Sequence, residues 1–144
     1  MLRSIVFLVA ACFGVTAMAA DAIKGERQEV FGDLTVHYNT FNSTYIQAKV
    51  AQHVELVRSK DQGVINISVA KADKPLVAQV NGTVKDLTGK SVTLNFKQIT
   101  EQGAIYYLAQ YPVPQQENRI FEITVTVGGD AHTFSFNQEL FPGE

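Results

Sequence analysis

The sequence predicts an all-β fold. Three observations carry this: apolar and polar residues alternate with period two from Leu34 to Gln138, turn signals recur about every 8 to 12 residues, and period-3.6 patterning is nearly missing. Two antiparallel sheets packed face to face produce that combination. The expected architecture is therefore an immunoglobulin-like β-sandwich of about seven strands, with a small β-barrel as the alternative.

Each segment supports this reading in turn. Leu34, Val36 and Tyr38 share one face of the first strand, and Thr35, His37 and Asn39 share the other. Ile65, Ile67 and Val69 repeat the pattern, with Asn66 and Ser68 on the opposite side. Leu76, Ala78, Val80 and Val84 make the next apolar face, opposite Gln79, Asn81, Thr83 and Lys85, and Gly82 within it suggests a bulge or bend. Thr88-Gly89 forms a turn into Val92, Leu94 and Phe96, so residues 76–98 read as a hairpin. After a turn at Glu101-Gln102-Gly103, Ala104 to Tyr111 is apolar on both faces, as a central strand is, and Pro112 and Pro114 end it. Phe121, Ile123, Val125 and Val127 alternate with Glu122, Thr124 and Thr126, and Gly128-Gly129-Asp130 leads into a last strand carrying Phe134 and Phe136. The expected core holds Val36, Val80, Leu94, Ile123, Val125 and Phe136, while Thr35, Thr93, Thr124 and Thr126 face away from it. Only Tyr45 to Val57 departs from period two. Ile46, Val50, Val54 and Val57 fall at helical spacing, which predicts a short helical turn near residues 47–55.

The N-terminus gives an address. Arg3, an apolar run from Ile5 to Val15, and Ala17-Met18-Ala19 match the charged, hydrophobic and small-x-small parts of a cleavable signal peptide. That run is shorter than the ~20 apolar residues of a transmembrane helix. The expected division is residues 1–19 as signal peptide and residues 20–144 as one exported domain in the periplasm; lipid anchoring through Cys12 is the alternative. Loss of residues 1–19 removes Cys12, Met1 and Met18, and also Arg3, which turns 12 basic residues into 11 against 14 acidic ones, a formal net charge of −3. The chain has no basic block to hold nucleic acid and no transmembrane segment is expected. Three Asn-x-Ser/Thr sequons, at Asn42, Asn66 and Asn81, read as ordinary strand and turn residues in a bacterial chain.

Several polar words go beyond strand patterning. They are Glu29-Val30-Phe31-Gly32-Asp33, Val36-His37-Tyr38-Asn39 with Phe41-Asn42-Ser43-Thr44, Arg58-Ser59-Lys60, Glu101 with Ala104-Ile105-Tyr106-Tyr107, and Phe134-Ser135-Phe136-Asn137-Gln138. Together they resemble an uncharacterised family of small exported proteins from Gram-negative bacteria, a domain of unknown function. The resemblance spans nearly the whole exported chain and implies a periplasmic β-sandwich without implying an activity. One departure, Gln47-Ala48-Lys49 where a proline and an acid are expected, weakens the start of the helical turn near residue 48.

No catalytic motif stands out. Copper carriage needs clustered methionine, cysteine or histidine, and the exported chain keeps only His37, His53 and His132, far apart in sequence. Ser59, His37 and Asp33 or Asp61 contain the residue types of a hydrolytic triad, but no Gly-x-Ser-x-Gly elbow frames them. Glu101 and Glu122 as paired carboxylates have no supporting signature, and the lack of Trp weakens a sugar-binding platform. The remaining candidates are His37, Asn39, Arg58, Tyr106 and Tyr107, a polar and aromatic set suited to recognition. Adjacent tyrosines in a strand point to opposite faces, so at most one of Tyr106 and Tyr107 enters the core. The expected function is a non-catalytic periplasmic interaction module with no cofactor, binding an envelope protein or component. A hydrolase of an envelope substrate is the alternative, and a metal carrier is the third reading.

Overall fold

The structure is a computed structural model and describes residues 27–143. The expected signal peptide, residues 1–19, and Cys12 lie outside the described residues. Within them run ten strands: β1 (Arg27–Phe31), β2 (Leu34–Asn42), β3 (Gln62–Lys71), β4 (Lys74–Pro75), β5 (Gln79–Asp86), β6 (Ser91–Leu94), β7 (Lys97–Glu101), β8 (Ala104–Pro112), β9 (Glu117–Val127) and β10 (Asp130–Leu140). A 3-10 turn at Ser43–Tyr45 and helix α1 (Ala48–His53) separate β2 from β3. One sheet has the order β1-β2-β3-β8-β7 with β4 beside β3, the other β10-β9-β5-β6, and every pairing is antiparallel. The fold is thus an all-β sandwich of two open sheets and not a closed barrel.

There are more strands than the alternation suggests, for a physical reason. The stretch from Val92 to Lys97 alternates without a break, yet the chain leaves one sheet after Leu94 and joins the other at Lys97. Period two reports which side a residue faces, not which sheet its backbone bonds. The hairpin expected over 76–98 is accordingly the shorter β5–β6 pair, closed by register Lys85↔Ser91 and Gly82↔Leu94. No bulge occurs at Gly82, because its register with β9 runs from Gln79↔Thr126 through Gly82↔Ile123 to Asp86↔Arg119 without a slip. Glycine stands there for space: a Cβ would lie 2.7 Å from Cδ1 of Ile123 and 2.8 Å from the Glu122 carbonyl oxygen.

Val36, Val80, Leu94, Ile123, Val125 and Phe136 are all buried in one core between the sheets. Thr93 is exposed, and Thr35, Thr124 and Thr126 are only half-buried on the outward faces. Aromatic rings dominate one end of this core. Phe121 and Phe136 stack with centroids 4.9 Å apart, Tyr38 lies 4.5 Å from Phe136, and Tyr111 meets Phe121 edge-on at 5.2 Å. Burial raises the Tyr111 hydroxyl pKa far above the ordinary tyrosine value, so it remains a donor at any physiological pH.

A second, smaller cluster explains why β8 is apolar on both faces. Ile46 and Ala51 pack against Val64 and Leu108 on the outer side of the larger sheet, with Val50, Leu56 and Ile99 around them. The helical turn exists but is brief. Gln47 caps it without a side-chain hydrogen bond, and Glu55 at φ +58° turns the chain away two residues after His53. The expected helical face of Ile46, Val50, Val54 and Val57 therefore fails at its last member: Val57 is exposed.

Candidate functional site

The outer face of the larger sheet carries most of the recognition candidates. Along β2, His37 and Asn39 point outward, opposite Ser68 and Asn66 of β3. Asn66 in turn lies opposite Leu108 of β8, and Tyr106 lies opposite Ile99 of β7. Tyr106 is therefore the outward tyrosine, 36% exposed, and Tyr107 is a core residue at 4%. Tyr107 acts on the inside: its hydroxyl accepts the Ala78 N–H at 2.8 Å, fixing the chain that leads into β5.

Between α1 and the sheet lies a groove of about 220 Å³, which Asn66, Ile99, Tyr106 and Leu108 of this face line and His37 and Asn39 do not. Its apolar walls are Ile46, Val50, Ile99 and Leu108, and Tyr45 and Tyr106 stand at its rim. Polar groups enter it as well, from Gln47, Asn66 and Glu101. Asn66 lines the groove, and its Oδ1 atom is buried with no hydrogen-bond partner among the described residues. Tyr45, 81% exposed, is a member that sequence reasoning missed. Its position follows from the tight 3-10 turn after β2, which period-two reading does not register.

Arg58 sits apart from His37 and Asn39. It is exposed on the loop after α1, and its Nη2 donates to the Thr44 carbonyl at 3.2 Å. His37 is five residues back along β2 from Asn42, about 17 Å at the usual strand rise. The residue beside Arg58 has a different task. Ser43, fully buried, donates from Oγ to the Ser59 carbonyl at 2.7 Å and accepts the Ser59 N–H at 2.9 Å. Asn42 Nδ2 donates to the Lys60 carbonyl at 2.9 Å, while its Oδ1 accepts from Thr44. The two words Phe41-Asn42-Ser43-Thr44 and Arg58-Ser59-Lys60 are thus halves of one clamp that closes the 17-residue excursion containing α1. Ser43→Ala should cost about 1–3 kcal/mol in urea unfolding, because it strands a buried amide and carbonyl of Ser59 together.

The other candidate chemistries find less support in the geometry. Ser59 Oγ accepts the Asp61 N–H at 3.2 Å within the clamp, and Asp33 pairs with Lys71 at 3.4 Å at the opposite end of β2. His53 ends α1, and His132 stacks on Phe31 with centroids 4.8 Å apart. Among the described residues, no group of three or more His, Cys, Asp or Glu side chains is placed to hold a metal ion. No helix in them is long and apolar enough to cross a membrane.

Comparison with known proteins places the chain in a family. The model of a domain of unknown function, DUF4426, matches residues 28–143. A DUF4426 family protein from Pseudomonas aeruginosa PAO1 is 53% identical in sequence and superimposes with a TM-score of 0.81, over 85% of this chain and 99% of that one. FetP from uropathogenic Escherichia coli strain F11 superimposes with a TM-score of 0.61 at 8% identity, over 83% of this chain and 96% of that one. A copper-bound variant of FetP matches with the same TM-score at 9% identity, over 83% and 92%. At such identities the likeness is one of fold alone. A search of the curated proteins finds no match. The match over residues 28–143 and the 53% identity show that the chain belongs to the DUF4426 family.

Proposed function

We propose that this protein is a non-catalytic binding module of the periplasm that receives an envelope partner on the outer face of its larger sheet. One observation carries the reading. Tyr106 and Tyr45 stand exposed at the rim of an apolar groove lined by Ile46, Val50, Ile99 and Leu108, and exposed tyrosine beside apolar surface is a recurring feature of recognition sites. His37 and Asn39 extend this face along β2, and Arg58 supplies a cation beside Thr44 near Tyr45. The leader-like sequence of residues 1–19 supports export, and the anchoring alternative through Cys12 is decided by the intact mass of protein isolated from the envelope.

The test is crosslinking in intact cells with identification of captured partners. Tyr106→Ala and Arg58→Ala should each reduce capture about tenfold or more, as loss of a central contact does. Arg58→Ala should leave unfolding within ~0.5 kcal/mol of the parent, since it removes an exposed charge. Capture unchanged in both variants would remove this face from the function.

A further inference from the structure

The four sheet edges are unequal. At three of them stand β1 with five residues, β6 with four and β7 with five. Short edge strands are a common protection against unwanted pairing. The fourth edge is β10, eleven residues long, and among the described residues no strand pairs with its outer side. Its register with β9 runs from Asp130↔Val127 to Leu140↔Glu117 without a bulge. No lysine, arginine, aspartate, glutamate or proline interrupts it from Ala131 to Gln138. Among the described residues, every common device for blunting an edge is missing over that stretch.

Backbone geometry identifies the groups offered there. The β9–β10 turn has two residues, Gly128 and Gly129, with φ of +57° and +87°, so Val127 and Asp130 close it as a hydrogen-bonded pair. Alternation along an antiparallel ladder then directs the N–H and C=O groups of Ala131, Thr133, Ser135 and Asn137 away from β9. All four side chains are exposed. We propose that β10 is a dimerisation edge, pairing antiparallel with β10 of a second copy of this chain, so that two four-stranded sheets join into one of eight.

A second copy is the occupant favoured by self-complementarity. An antiparallel two-fold brings each uncharged edge against its own copy, with no like charges opposed between Ala131 and Gln138, and every outward N–H finds an outward C=O of the same spacing. Among the described residues, the seam with the other sheet does not obstruct it. His132 stacks on Phe31, and Arg27 donates to Gln138, both across the inner side of β10.

The experiment is sedimentation of the exported chain over roughly 1 µM to 1 mM, the range in which weak complexes dissociate, with amide hydrogen exchange at both ends. Dimer should accumulate with concentration, and the amides of Ala131, Thr133, Ser135 and Asn137 should slow together. Ser135→Pro should abolish both effects with an unchanged circular dichroism spectrum, because its N–H faces away from β9 and a proline there spares the ladder. If that variant does not fold, Ser135→Lys replaces it, and its paired like charges should give the same loss of dimer. A monomer throughout, a dimer that leaves the four amides unchanged, or a dimer that persists in a folded Ser135 variant overturns the proposal.

Discussion

Phe136→Ala is expected to lower the free energy of unfolding by about 3–5 kcal/mol, measured by urea denaturation of the purified protein. The ring is stacked on Phe121 at 4.9 Å, lies 4.5 Å from Tyr38, and is capped by the Arg27 guanidinium 4.6 Å from its centroid. Removing it leaves a void bordered by rigid aromatic faces from both sheets, which cannot collapse as flexible aliphatic chains can. Arg27 and Tyr38 also lose a stacking partner. Thr124→Ala, between the core residues Ile123 and Val125 on β9 but on the outward face, removes one hydroxyl contact with Thr133 at 2.9 Å and should cost no more than ~0.5 kcal/mol. Equal costs for the two substitutions would contradict the assignment of inward and outward faces on β9 and β10.

The second large effect is expected at a buried ion pair near the end of the core. Arg119 is 8% exposed on β9; its Nη2 donates to Oε2 of Glu117 at 3.2 Å and its Nη1 to the Pro112 carbonyl at 2.7 Å. Its Nε has no partner among the described residues, so the guanidinium is already incompletely satisfied. Glu117→Ala should therefore cost about 3 kcal/mol, the lower part of the range for breaking a buried pair, because the Glu117 side chain is 24% exposed and some water reaches it. Replacing both residues, as Glu117→Leu with Arg119→Met, should recover most of the loss, since no charge is then left buried. A double variant as unstable as Glu117→Ala alone would mean that Arg119 contributes chiefly through packing of its stem and its bond to Pro112.

These two sites differ in how visible they are before folding. Phe136 belongs to an alternating strand, and its inward phase is set by Phe134 two residues earlier, so the sequence alone identifies it as core. Arg119 has the same phase as Phe121, Ile123 and Val125, yet an arginine at an apolar phase reads as the frayed start of a strand. Its burial depends on the Pro112 carbonyl at the end of β8, a strand of the opposite sheet. The same division runs through the candidate site. Asn42-Ser43-Thr44 and Arg58-Ser59-Lys60 stand out in the sequence as polar words, but their meeting, through Ser43 and Ser59, is a contact between residues 16 positions apart across a helix.

By itself, the sequence determined the sandwich class, the inward faces of the long strands, and the helical character of the segment after β2, because periodicity is a local property that each residue shows relative to its neighbours. Tertiary structure alone decided that Tyr106 faces out and Tyr107 in, since Ile105 and Leu108 are both apolar and give the phase no preference. It also decided that the chain changes sheets at Asn95-Phe96, that Tyr45 reaches the groove rim, and that Arg58 lies away from His37 and Asn39. Each of these depends on which strands hydrogen-bond to one another and on what covers a sheet face. Those are relations between distant segments, fixed only when the two sheets and the layer above them close together.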